Sequence, residues 1–134
     1  MRAGKNKQAG KAIDSKEDCI QAVGAVRDTL YVLGGKWKLP ILIALVDGPQ
    51  RFRELQKSLQ EITPKVLSKE LKELGLNEFV TRTVYATSPV TVEYALTGYS
   101  QSLNKVLLEM RKWGTQHRKR VMASSKAKKT VTQK

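Results

Sequence analysis

What most constrains this chain is a single switch of apolar period inside an otherwise helical sequence. Upstream of residue 78 the apolar residues recur at three- and four-residue steps, which is the signature of helices that bury one face. From Phe79 to Ala86 and again from Val90 to Leu96 the sequence is rich in Val, Thr and Tyr and alternates in polarity, with Thr87-Ser88-Pro89 between the two runs. That pattern predicts a two-stranded antiparallel hairpin. Helical spacing then returns at Leu103, Val106, Leu107, Met110 and Trp113. One hairpin set between helices predicts a mainly α fold with a small β-hairpin.

The helices are bounded by local chemistry. Ser15, with Glu17 and Asp18 behind it, reads as an N-cap followed by acids in the first turn. The stripe Ile20, Val23, Val26, Leu30 and Leu33 follows, and Gly34-Gly35 stops it. Trp37 to Val46 is mostly apolar, carries Pro40 where the first helical turn tolerates it, and ends at Asp47-Gly48-Pro49. It is expected at the centre of the core. Arg51-Phe52-Arg53 is expected to be extended before a short helix from Arg53 to Leu59. Thr63-Pro64 then opens a helix to about Leu74, with Gly75 or Asn77 as its stop. Thr97 is expected to cap a last helix that weakens beyond His117 and ends near Met122.

The formal net charge of +13 is unevenly placed. Residues 1–16 carry +4 and residues 111–134 carry +9, so residues 17–110 sum to zero. We read 1–14 as a flexible basic arm, 15–122 as the folded domain and 123–134 as a disordered basic tail. Basic tails attract polyanions without regard to sequence, so specific recognition must come from charge arranged on the neutral body. The N-terminus has no apolar run of a secretory signal, and no apolar segment approaches the roughly 20 residues of a membrane span. The single cysteine, Cys19, forbids an internal disulfide. A cytoplasmic protein without membrane attachment is the expectation.

A helix of about seven residues, a tight connection and a helix of about twelve match helix-turn-helix spacing, and the hairpin behind them makes the unit winged. On the second helix Lys65, Ser68, Lys69 and Lys72 fall within about 100° of arc, and Leu67, Leu71 and Leu74 occupy about 60° on the opposite side. Leucines seat such a helix on a core while the lysines offer donors to a major groove; a solvated surface helix has the same outward face. Thr63 at its start, Arg82 on the hairpin and Arg51 before the first helix are further candidates for DNA contact. Arg51 and Arg53 are equally placed to pair with Glu54 or Asp47. Lone His117, in a basic helix, offers no metal set or catalytic pair, and Gly34-Gly35-Lys36 lacks the rest of a phosphate loop. No enzyme activity, metal or cofactor is expected. A helical protein-interaction module and a nonspecific DNA-coating protein are the alternatives to a sequence-specific DNA-binding regulator.

Several segments also resemble the HxlR family of bacterial winged-helix transcriptional regulators: Gly34-Gly35-Lys36-Trp37-Lys38, Gly48-Pro49-Gln50-Arg51-Phe52-Arg53-Glu54-Leu55, Ile62 through Leu74, Val92-Glu93-Tyr94-Ala95-Leu96-Thr97, and Met110 to Gly114. The resemblance covers about residues 17–118. It implies a homodimer held by the first and last helices, bound to a pseudo-palindromic double-stranded operator, with no cofactor. By position it places Lys65, Ser68, Lys69 and Lys72 on the recognition helix and Arg82 on the wing. The interface candidates are Ile20, Val23, Leu103, Val106, Met110 and Trp113. Many members carry a Cys-Pro pair ten residues before the double glycine, where this chain has Gly24. Cys19 is followed by Ile20, so it is read either as a packed first-turn residue or as a weak redox sensor. Gly75 stands where Glu is more usual, and is expected to shorten the recognition helix.

Overall fold

The computed structural model describes residues 15–132. The expected basic arm at 1–14 lies outside the described residues. The chain divides into two units, one ending at Gly34 and the other beginning at Gly35.

Among the described residues of the first unit, one helix, α1, spans Lys16–Leu33. Ser15 caps it: its hydroxyl oxygen accepts the Asp18 amide at 3.0 Å. Gly34 follows it in an extended conformation, and only glycine fits there because a Cβ would collide with the Leu30 carbonyl oxygen. Ile20, Val23, Val26 and Leu30 are each at least half exposed. A lone helix cannot bury its own apolar stripe.

The second unit contains α2 (Lys38–Ala44), β1 (Gln50–Arg51), α3 (Phe52–Leu59), α4 (Pro64–Leu76), β2 (Val80–Tyr85), β3 (Thr91–Leu96), a 3₁₀ turn (Tyr99–Leu103) and α5 (Asn104–Thr132). As expected, α2 is central: Ile41 and Leu42 are fully buried and Leu45 is nearly so. Leu55 from α3, Ile62 from the connection, Leu67, Leu71 and Leu74 from α4, Phe79 and Val80 from β2 and its approach, and Leu107 from α5 complete the core. Full burial of such side chains contributes roughly 1.5–3 kcal/mol apiece.

Four details depart from the sequence reading. The sheet has three strands in the order β1-β3-β2, all antiparallel, with Gln50 opposite Tyr94 and Arg82 opposite Tyr94 on the other side. Only Gln50 and Arg51 are extended, and Phe52 already opens α3. α4 runs through Gly75 to Leu76 and stops at Asn77, so Gly75 does not shorten it. The helix tolerates Gly at a cost of about 1 kcal/mol when the next turn still has its bonds. Last, Thr97 precedes a 3₁₀ turn rather than α5, its hydroxyl oxygen accepting the Ser100 amide at 3.1 Å, and α5 continues past Met122 to Thr132. Residues 123–132, read from composition as a disordered tail, are therefore helical here.

The connection between α3 and α4 is tight because Gln60 takes φ 61°, a conformation uncommon outside glycine. Gln60 N–H donates to Gln56 O at 3.0 Å, and Ile62, 4% exposed, pins the loop to the core. Thr63 caps α4 by accepting the Val66 amide at 3.2 Å, and Pro64 takes the first helical position.

Candidate nucleic-acid interface

The orientation of α4 is set from both of its sides. Leu67, Leu71 and Leu74 are at most 3% exposed, whereas Lys65, Ser68, Lys69 and Lys72 are exposed. The outward face is thus the cationic one. The flank carrying Glu70 and Glu73 is held by a residue that the sequence pattern does not single out, Lys38 of α2. Its Nζ lies 2.7 Å from Glu70 Oε1 and 2.7 Å from Glu73 Oε1, with the lysine side chain only 13% exposed. A lysine in an otherwise apolar, central helix must find a counter-charge, and an i,i+3 pair of acids off the leucine face supplies it. Burial disfavours the Lys38 charge, but the hydrogen bonds and charges of Glu70 and Glu73 outweigh it, so the amine is held above its ordinary range. Glu73 is held below the usual carboxylate range, chiefly by its hydrogen bond from Lys38. Both acids of α4 are thereby tied toward α2. Lys69 Nζ lies 3.9 Å from Glu73 Oε2, a long pair on an exposed lysine, which leaves its charge largely unspent.

Lys65, Ser68, Lys72 and Arg82 make no side-chain hydrogen bond or ion pair among the described residues. Arg82 stands opposite Tyr94 and, by strand alternation, on the same sheet face as buried Val80. That face looks onto α4, and Ser68, Lys72 and Arg82 line one cleft. Arg51 is placed elsewhere: it stands opposite Glu93, on the other face and the other edge strand. The structure therefore gathers Ser68, Lys72 and Arg82, and separates Arg51 from them. Neither Arg51 nor Arg53 pairs with an acid among the described residues. The Glu54 carboxylate instead accepts the Arg51 backbone N–H at 2.7 Å and caps α3. Thr63 spends an oxygen lone pair on its cap and keeps its hydroxyl proton to donate.

The wing tip is ordered by Thr87, whose hydroxyl donates to Pro89 O at 2.7 Å and lies 3.1 Å from the Thr91 hydroxyl. Val84, Tyr85 and Val90 are all exposed on the hairpin. On α5 the expected apolar stripe divides. Leu107 belongs to the core and Leu103 is half-buried, while Val106 (48%), Met110 (49%) and Trp113 (65%) are exposed. His117 stacks on Trp113 with ring centroids 4.8 Å apart, rather than standing free in water. Cys19 is exposed on α1.

Residues 32–122 match the family model described as HxlR-like helix-turn-helix. The HTH-type transcriptional regulator YdeP of Bacillus subtilis (strain 168) is 36% identical over 125 residues, covering 93% of this chain and 95% of that one. YtcD of the same organism is 41% identical over 97 residues, covering 72% and 77%. Among solved structures, the redox regulator HypR in its reduced form aligns with a TM-score of 0.69 at 36% identity, over 74% of this chain and 98% of that one.

The Lys38 bridge makes a pH-dependent contribution with a defined sign. The depressed Glu73 group stabilises the fold above its unfolded titration, and that contribution is lost as pH falls through its folded value. The raised Lys38 group stabilises below the ordinary lysine range and loses its contribution as pH rises through its folded value. Lys38→Met is expected to lower the melting temperature at pH 7 by about 5 °C and to flatten the loss of stability on acidification below the ordinary carboxylate range. An unchanged melting temperature together with an unchanged acid limb removes the bridge from the account of how α4 is held.

Proposed function

This chain belongs to the HxlR-like helix-turn-helix family of DNA-binding transcriptional regulators, and from that premise we propose that it binds a specific, two-fold operator as a homodimer. The observation that carries the reading is the exposed face of α4, where Lys65, Ser68, Lys69 and Lys72 stand opposite three buried leucines while both acids are drawn aside by Lys38. In this reading α4 enters the major groove, with Lys65 and Ser68 near its N-terminal end reading base edges. Lys72 and Arg82 take phosphates, Thr63 donates its hydroxyl proton to the backbone, and Arg51 serves as an outlying phosphate contact. The protein acts in the cytoplasm, and it needs no metal, cofactor or catalytic step.

Two such half-sites engage about six to eight phosphates or base edges, so the logarithm of the binding constant should fall against log salt with a slope of about −5 to −7. Lys72→Ala and Arg82→Ala are expected to make that slope shallower by about 1–2 units for the dimer with sequence preference kept, whereas Ser68→Ala shifts preference with the slope kept. Deleting residues 124–134 weakens nonspecific binding and spares operator choice. Loss of all binding on tail deletion, with the α4 variants binding normally, makes the chain a nonspecific coating protein instead. Salt-independent or absent DNA binding favours a protein-interaction module.

The dimer is supported by apolar surface left uncovered in both units: Ile20, Val23, Val26 and Leu30 on α1, and Val106, Met110 and Trp113 on α5. An isologous interface covers each of these patches twice. Light scattering at micromolar concentration should give twice the chain mass of 15.0 kDa. Trp113→Glu should shift the protein toward monomer, and a wild-type monomer refutes the assembly.

Exposure of the Cys19 thiol, with the likeness to the redox regulator HypR, favours a second element, oxidant sensing. With one cysteine in the chain, any disulfide it forms is with another copy or with a small thiol. Diamide should then release wild-type protein from its operator and leave Cys19→Ser bound; equal behaviour of the two ends this element.

A further inference from the structure

The cleft between α4 and the sheet holds more than its part in DNA binding uses. Its volume is about 460 Å³, several times that of a phosphate group. Its floor is apolar, formed by Leu71 and Val80, each no more than 5% exposed. Ser68 and Lys72 stand on one wall, Arg82 and Tyr94 on the other. None of the four has a side-chain hydrogen bond or ion pair among the described residues, and the Tyr94 ring rests 6.5 Å from that of Phe52.

Gly75 keeps the cleft open. It lines the cleft one helical turn beyond Leu71, and a Cβ built on it meets only the Val80 carbonyl oxygen, at 3.7 Å, an ordinary contact. Backbone crowding therefore does not require glycine, and its φ is not in the left-handed region. What the glycine leaves is space directly above the apolar floor. The acids of α4, Glu70 and Glu73, are drawn to Lys38, and Glu93 lies on the other sheet face, opposite Thr83. Ser68, Lys72, Arg82 and Tyr94 thus line one cleft over an apolar base, with no carboxylate among its lining residues.

We propose that this cleft is a binding site for a small organic anion, a carboxylate on a flat apolar body. The carboxylate lies between Lys72 and Arg82, with the Ser68 and Tyr94 hydroxyls donating to it. The body covers Leu71 and Val80 in the space above Gly75. An isolated inorganic phosphate fills the charged rim and leaves the floor wet, whereas an uncharged ring leaves both cations unpaired. The site shares Ser68, Lys72 and Arg82 with the DNA face, so the anion and DNA compete for the same groups. This competition rests on the DNA reading above; occupancy of the cleft does not.

The binding arm uses the full chain without DNA. Benzoate and 1-naphthoate are titrated while the amide resonances of Ser68, Gly75 and Arg82 are followed, with benzyl alcohol and inorganic phosphate as controls. Saturable shifts at these amides are expected for the two carboxylates with a dissociation constant on the order of 1 mM, and at least tenfold weaker for both controls. Gly75→Glu fills the space and places a carboxylate against Lys72 and Arg82; as a glycine replaced in a helix it should fold at least as well, and it should weaken carboxylate binding more than tenfold. Gly75→Ala, which narrows the space by one methyl group and adds no charge, should weaken it less than Gly75→Glu. Shifts equal for benzoate and benzyl alcohol, shifts unaffected by Gly75→Glu, or none at all overturn the proposal. In the second arm, 10 mM naphthoate should weaken DNA binding by wild-type protein several-fold relative to equimolar acetate. Carboxylate binding with no DNA binding in any buffer sinks the DNA reading and leaves the cleft site standing. Carboxylate binding with undiminished DNA binding refutes the proposed competition.

Discussion

The placement of one helix governs this molecule, and that placement is a balance of three leucines against one lysine. Leu67, Leu71 and Leu74 press α4 onto the core built around Ile41 and Leu42. Apolar burial is strong but non-directional, and it allows a helix to roll about its axis. The Lys38 bridge to Glu70 and Glu73 supplies the direction, because two carboxylates one turn apart must both meet a single amine. Apolar residues at 38, 70 and 73 together would pack as well and specify less. Such a partly buried ion pair is retained for its geometry more than for its net energy.

Much of this architecture is legible in the sequence. The caps at Ser15 and Thr63, the apolar α2, the hairpin, and the leucine and lysine faces of α4 are each local or periodic signals, and each stands where the sequence places it. What the sequence hides is non-local. Strand β1 has two residues, too few to carry a period, and exists only because β3 offers a free edge. Lys38 reads as an interruption of an apolar helix, because its partners lie more than thirty residues away and only the fold brings them beside it. Thr97 has the right chemistry for a cap, and only the fold puts a 3₁₀ turn rather than α5 after it.

The candidate site divides the same way. Helical angle alone groups Lys65, Ser68, Lys69 and Lys72, since all four belong to one element. Arg82 joins Ser68 and Lys72 through strand alternation and the register with Tyr94, whereas Arg51, a candidate on charge alone, lies on the opposite face. In the sequence Tyr94 is only one letter of an alternating strand. Its partnership with Arg82 follows from pairing register, which hairpin length alone leaves open.

The length of α5 has a kinetic meaning. Its 29 residues extend over about 43 Å at 1.5 Å per residue, and from Thr115 to Ala127 every side chain is exposed, with four cations and no acid along that stretch. At physiological ionic strength the field of a surface charge fades within about 8 Å. The exposed stretch alone, about 20 Å long, is more than twice that distance. A cationic helix of this kind enlarges the target that a diffusing polyanion meets first. Sequence-independent charge of this kind favours sliding and short hops along DNA over full release, so in the proposed function arrival at a site and choice of site fall to different parts of one chain.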